Sequence, residues 1–108
     1  MTVGDWIASR TPQPPPALSR EVLDALGAEA HLPAARVSGV CLAAAARSLD
    51  SLLVDARFTR DNALELLAID ALTTYAFEHA SESAAPGELE ALATRGVHVF
   101  GQLTAQRV

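Results

Sequence analysis

The chain has 108 residues, half of them apolar, which is enough for one modest hydrophobic core in a single domain and too apolar for general disorder. It carries no lysine and eight dispersed arginines against 13 acidic residues, a net charge of -5, so there is no basic stripe for phosphates and both nucleic acid and anionic membranes are disfavoured as partners. The one cysteine, Cys41, excludes an internal disulfide and a cysteine-based zinc site.

Arginine-only basic usage with abundant Ala, Pro and Gly has the character of a GC-rich bacterial genome. The N-terminus, MTVGDWIASR, lacks the basic region and apolar run of a signal peptide. The longest apolar run, Val40 to Ala46, falls far short of the ~20 residues of a membrane span. A soluble cytoplasmic protein is the expectation.

Residues 1–10 have the length for one or two helical turns, with Trp6 and Ile7 as apolar anchors. TPQPPP, Thr11 to Pro16, places four prolines in five positions, which predicts a stiff polyproline strap. Residues 1–16 are therefore read as an N-terminal arm and strap, and 17–108 as one helical-bundle domain. Ala17 to Leu26 carries Leu18, Val22, Ala25 and Leu26 on one face, and Gly27 stops it. GAEAHLP is a loop, with Pro33 suited to the first turn of the next helix.

From Ala34 to about Arg57, Cys41, Leu42, Ala45, Ala46, Leu49, Leu52, Leu53 and Ala56 gather on one side of a helix. Arg47, Asp50 and Ser51 lie opposite, where Val40 and Val54 interrupt the polar side and predict a contact with a partner chain. In FTRD, Thr59 is the expected N-cap of a helix from Arg60 to about Ser83, with Asp61 favourably placed in its first turn. That helix is apolar on nearly every side and is expected to be central. Pro86 is expected to open the last helix, whose stripe is Leu89, Leu92, Ala93, Gly96, Val99, Phe100 and Leu103. Gly96 costs about 1 kcal/mol of helix propensity against Ala, and close approach of a neighbour is the expected compensation. The pattern is an all-α bundle of three main helices, with one or two short N-terminal helices and the strap.

Chemistry is sparse. Asp70 sits in the central helix with Thr74 and Ser81 on a narrow polar seam, facing solvent, an arginine such as Arg47 or Arg57, a second subunit or a pocket. Glu78, His79 and Glu82 are helical neighbours, but no Glu-x-x-His pair of a di-iron bundle occurs. Cys41 lies on an apolar face, as a buried inert thiol does. No phosphate loop, nucleophile elbow or zinc-protease motif is present. No catalytic residue, metal or cofactor is expected.

Within AIDALTTYAFE, the residues Ala68, Asp70, Ala71, Leu72, Thr74, Ala76, Phe77 and Glu78 match a helix that commonly reads A-G-D-A-L-L-T-x-A-F-E in polyprenyl (isoprenoid) diphosphate synthases. The stretch resembles that helix, with Ile69 in place of glycine and Thr73 in place of leucine. The resemblance implies an all-α fold and a helix lining an apolar cavity. It does not extend to the family's two D-D-x-x-D motifs, which bind the magnesium–diphosphate and are absent from this chain.

Two functions are therefore expected. One is a small non-catalytic interaction module, homodimeric, meeting its partner through Trp6, Ile7, Val40 and Val54. The other is a bundle binding an apolar or isoprenoid-like ligand around Leu67, Asp70, Thr74 and Phe77.

Overall fold

Thr2 and Asp5 start the fold with a reciprocal cap. The Asp5 amide donates to Thr2 Oγ1 at 3.1 Å, and the Thr2 amide donates to Asp5 Oδ2 at 2.9 Å. These bonds hold the Asp5 carboxyl below its usual pKa. They nucleate a six-residue helix, α1 (Val3–Ala8), too short to persist alone. Tertiary contacts fix it: the Val3 amide donates to the Leu32 carbonyl at 2.8 Å, and the Ala34 amide to the Met1 carbonyl at 3.0 Å. Val3, Trp6 and Ile7 are buried. The N-terminal segment is thus tied into the body of the molecule.

A computed structural model describes residues 1–55, 62–83 and 85–105. Beyond α1 its helices are α2 (Pro16–Leu26), α3 (Val37–Asp55), α4 (Ala63–Glu82) and α5 (Glu88–Ala105). Short 3-10 turns at Gly27–His31 and Ala34–Arg36 join α2 to α3. The fold is all-α, with no strand among the described residues beyond an isolated bridge between Thr2 and Pro33.

Between α1 and α2 the chain does not run as a plain strap. Gln13 folds back, and its side-chain amide donates to the carbonyls of Ile7 (3.0 Å), Ala8 (3.2 Å) and Arg10. A polar side chain inside the proline run thereby satisfies the free carbonyls at the end of α1. Pro16 then occupies the first turn of α2, where its missing N–H costs nothing. Gly27 closes α2 with φ +57.

The α3 helix begins at Val37, three residues later than the periodicity predicts, because Ala34–Arg36 form a 3-10 turn after Pro33. Val37, Val40, Cys41, Leu42, Ala44, Ala45 and Leu52 are buried. The stretch Ala34–Val54 is long and apolar enough to cross a membrane, with a mean hydropathy of 1.5, but here it packs against α2, α4 and α5. The expected cap at Thr59 and the acid at Asp61 lie outside the described residues.

The α4 helix packs against α2, α3 and α5, most extensively against α3, and buries Ala68, Leu72, Tyr75, Ala76 and Ala80. It is not surrounded on every side: Leu67 is 53% exposed and Leu66 39% exposed. Pro86 does not open the last helix. It sits in a turn with Gly87, whose φ of +78 is left-handed and favours glycine, and α5 starts at Glu88. Ser83 ties the turn together by donating to Glu88 Oε2 and accepting from the Ala85 amide at 3.2 Å.

Candidate functional site

The seam around Asp70 is a solvent face. Asp70 and Thr74 are exposed, as is Leu67. Thr74 Oγ1 donates to the Asp70 carbonyl at 2.9 Å, and Ser81 Oγ to the Glu78 carbonyl at 2.8 Å, so both hydroxyls are satisfied within their own helix. Arg47, a predicted partner of Asp70, pairs instead with Glu29 Oε1 at 2.5 Å, and Arg57 lies outside the described residues. Of the four expected ligand residues, Phe77 alone is half-buried and turns toward another helix.

The expected interface residues part company. Trp6, Ile7 and Val40 are 9%, 6% and 5% exposed, leaving almost no surface for a second chain. Val40 falls on the buried arc of α3 with Val37 and Ala44, so its apolar character serves the chain's own core. Val54, at 68% exposed, remains open at the end of α3.

Around Trp6 the structure assembles a cluster drawn from three distant segments. The Trp6 ring meets Tyr75 edge-on at 6.1 Å and His79 at 5.3 Å. The Arg10 guanidinium lies over the same indole, 3.8 Å from the centroid, and its Nη2 pairs with Glu82 Oε1. His79 Nδ1 shares a 2.7 Å hydrogen bond with Ser38 Oγ, and Ser38 is the one buried polar residue among those described, at 6% exposure. His79 and Glu82 thus latch the N-terminal segment and α3 onto α4. Sequence reasoning passed over Ser38. Its signal was present, because a serine three residues before Cys41 sits on the apolar face of α3 and needs a partner there. No group of three His, Cys, Asp or Glu residues among those described is placed to hold a metal ion.

Cys41 is fully buried, and burial pushes its thiol up to about 12. It is neutral at physiological pH and unsuited to nucleophilic work. Burial likewise raises the Tyr75 phenol above its usual pKa.

One open surface is apolar. Between α4 and α5 an open groove of about 390 Å³ is lined by Thr73, Phe77, Ala93, Gly96, Val97 and Phe100. Thr73 is its one polar side chain, and that hydroxyl already donates to the Ile69 carbonyl at 2.8 Å. Gly96 is buried in the floor beside Phe77, while Val97 on the rim is 77% exposed. Leu66, seven residues before Thr73, continues the same face of α4. Leu89, 43% exposed and one turn before Ala93, continues that of α5. The apolar stripe predicted for the last helix is real, but only Leu92 and Gly96 in it are fully buried. Its outer edge forms this groove. No family model matches the chain, and no curated protein or solved structure was found to resemble it.

Proposed function

We propose that this chain is a small non-catalytic helical interaction module that forms a homodimer through the α4–α5 groove. The observation that carries the reading is the groove itself: an unbroken apolar trough with Val97 standing 77% exposed on its rim. Exposed apolar surface costs roughly 25 cal/mol per Å², and a contiguous patch of it marks a contact site. Ala93 and Gly96 keep the trough low, so a second helix can approach closely. The residues that line it also supply the rim that would enter the partner's trough, which is the self-complementarity a two-fold dimer needs. The reading places the chain in the cytoplasm, a compartment in keeping with its single reduced thiol.

Size-exclusion chromatography with light scattering tests it. The expected mass at micromolar concentration is twice the 11.3 kDa of the chain. Val97→Arg puts a charge on the rim and is expected to give monomer, whereas Val54→Arg at the far end of α3 leaves the dimer intact. A wild-type chain that stays monomeric to about 1 mM overturns the proposal, since a stable interface of standard size associates well below that.

A second reading, an apolar or isoprenoid-like ligand, draws support from Phe77, which belongs both to the synthase-like helix and to the groove. It predicts that a prenyl alcohol raises the melting temperature without changing the mass, and that Phe77→Ala removes the effect. Leu67, Asp70 and Thr74 stand outside the groove and would take no part.

A further inference from the structure

Two clefts lie on the other side of α5 from the groove. Arg36 ends the 3-10 turn before α3, and Arg95 projects from α5. The clefts, of about 200 Å³ and 410 Å³, share Arg36, Gly39 and Arg95 in their walls. Arg95 Nη1 lies 3.5 Å from where a Cβ on Gly39 would stand, so the guanidinium rests directly over the glycine. Ser38 lines the smaller cleft, its hydroxyl held by His79.

The charges here are arranged unlike those of the other paired arginines. Arg10 has Glu82 and Arg47 has Glu29, each in direct contact. Arg36 and Arg95 make no hydrogen bond or ion pair among the described residues, although the chain carries 13 acids against eight arginines. Two acids do border the clefts. Glu29 is engaged by Arg47, and Glu88 accepts from Ser83. Glu29 and Glu88 offset part of the positive charge, but the guanidinium donors of Arg36 and Arg95 stay unengaged and face one cleft. Gly39 also lies in the first turn of α3, where the helix dipole adds positive potential. Guanidinium forks bind phosphate oxygens in pairs, and two of them match the charge of a dianion.

We propose that the cleft over Gly39 binds a small phosphomonoester, its phosphate gripped between Arg36 and Arg95. The larger cleft, walled also by Glu29, Val40 and Ala43, leaves room for the remainder of a small ester. The site is independent of self-association: Arg95 and Val97 are two residues apart, about 200° around the helix.

The test is titration of the ¹⁵N-labelled chain with inorganic phosphate at constant ionic strength, followed by amide NMR. Saturable shifts are expected at Gly39 and Arg95, with at least about tenfold weaker binding in Arg36→Gln and in Arg95→Gln. Both side chains are exposed, so the variants should fold as the wild type does, which their unchanged melting temperatures without phosphate check. Absence of saturable shifts up to about 20 mM overturns the proposal. So does wild-type affinity retained in either variant. Repeating the titration on Val97→Arg separates this site from the dimer reading: binding should persist whether or not the chain dimerises.

Discussion

The two sides of α4 are made from the same kinds of residue and end in opposite states. On the side packed against α3 and α1 it presents Ala68, Leu72, Tyr75 and Ala76, all buried, the two alanines letting the neighbouring helices come close. Toward α5 it presents Leu66, Thr73 and Phe77, which line or flank an open groove. The difference does not lie in hydrophobicity. It lies in what faces each side: α3 meets α4 with an alanine-rich face, whereas α5 sets Gly96 beside Phe77 and turns Val97 outward. Apolar character alone does not decide what is core and what stays open; the neighbour's geometry does.

The largest effect should come from breaking the closed side. Leu72 is fully buried, and Leu72→Ala is expected to cost about 3–5 kcal/mol in urea unfolding. Val97→Ala on the open side should change the stability of the monomer by no more than about 0.5 kcal/mol. Equal costs at the two positions would mean that the groove is core, and the contrast between the two sides would collapse.

The closed side also holds the group most displaced in its titration. Cys41 has its thiol pushed up from 9.0 to about 12 by burial. A raised folded-state value favours the protonated folded form. Its contribution is fully present below about pH 9 and is lost as pH rises from 9 toward 12, because the unfolded chain releases the proton first. Tyr75, raised by the same cause, acts in the same direction. Unfolding free energy should therefore fall on the alkaline side by an amount on the order of a few kcal/mol. Cys41→Ala should flatten that fall when denaturation curves at pH 8 and pH 11 are compared. A slope identical in the variant would remove Cys41 from the explanation.

Legibility in the sequence followed the distance over which each feature acts. Local features were readable: the anchors Trp6 and Ile7, the stop at Gly27, the periodic faces of α3 and α4, and the stripe of α5. Features that join distant segments were not. Arg10 and Glu82 are 72 positions apart, and Ser38 and His79 are 41 apart. Nothing in either local pattern indicates that they meet. The interface expected at Trp6, Ile7 and Val40 failed for the same reason, since a helical wheel shows which side is apolar and not which neighbour covers it. Pro86 misled because proline suits both a helix start and a turn, and Gly87 decided for the turn.

Smaller effects come from Gly96, which lies between Phe77 of α4 and Leu42 of α3. Gly96→Leu adds bulk between Phe77 and Leu42 and should cost roughly 1–3 kcal/mol by overpacking, measured by thermal or chemical unfolding.

Gly96→Ala should do the reverse. A Cβ there would stand 3.8 Å from Phe77 Cζ and 3.9 Å from Leu42 Cδ1, ordinary van der Waals distances, so one methyl fits without displacement. Glycine inside a helix loses about 1 kcal/mol against alanine, mainly through the freedom of its unfolded chain. Alanine is thus expected to stabilise by about 0.5–1 kcal/mol, raising the melting temperature by roughly 2–6 °C. The same change at Gly87, with its φ of +78, should destabilise, because the backbone there is left-handed. If Gly96→Ala destabilises instead, α5 lies closer to α4 and α3 than these distances allow. The groove would then be a closed seam like the one between α3 and α4, and the case for a second copy docking in it would fall with it.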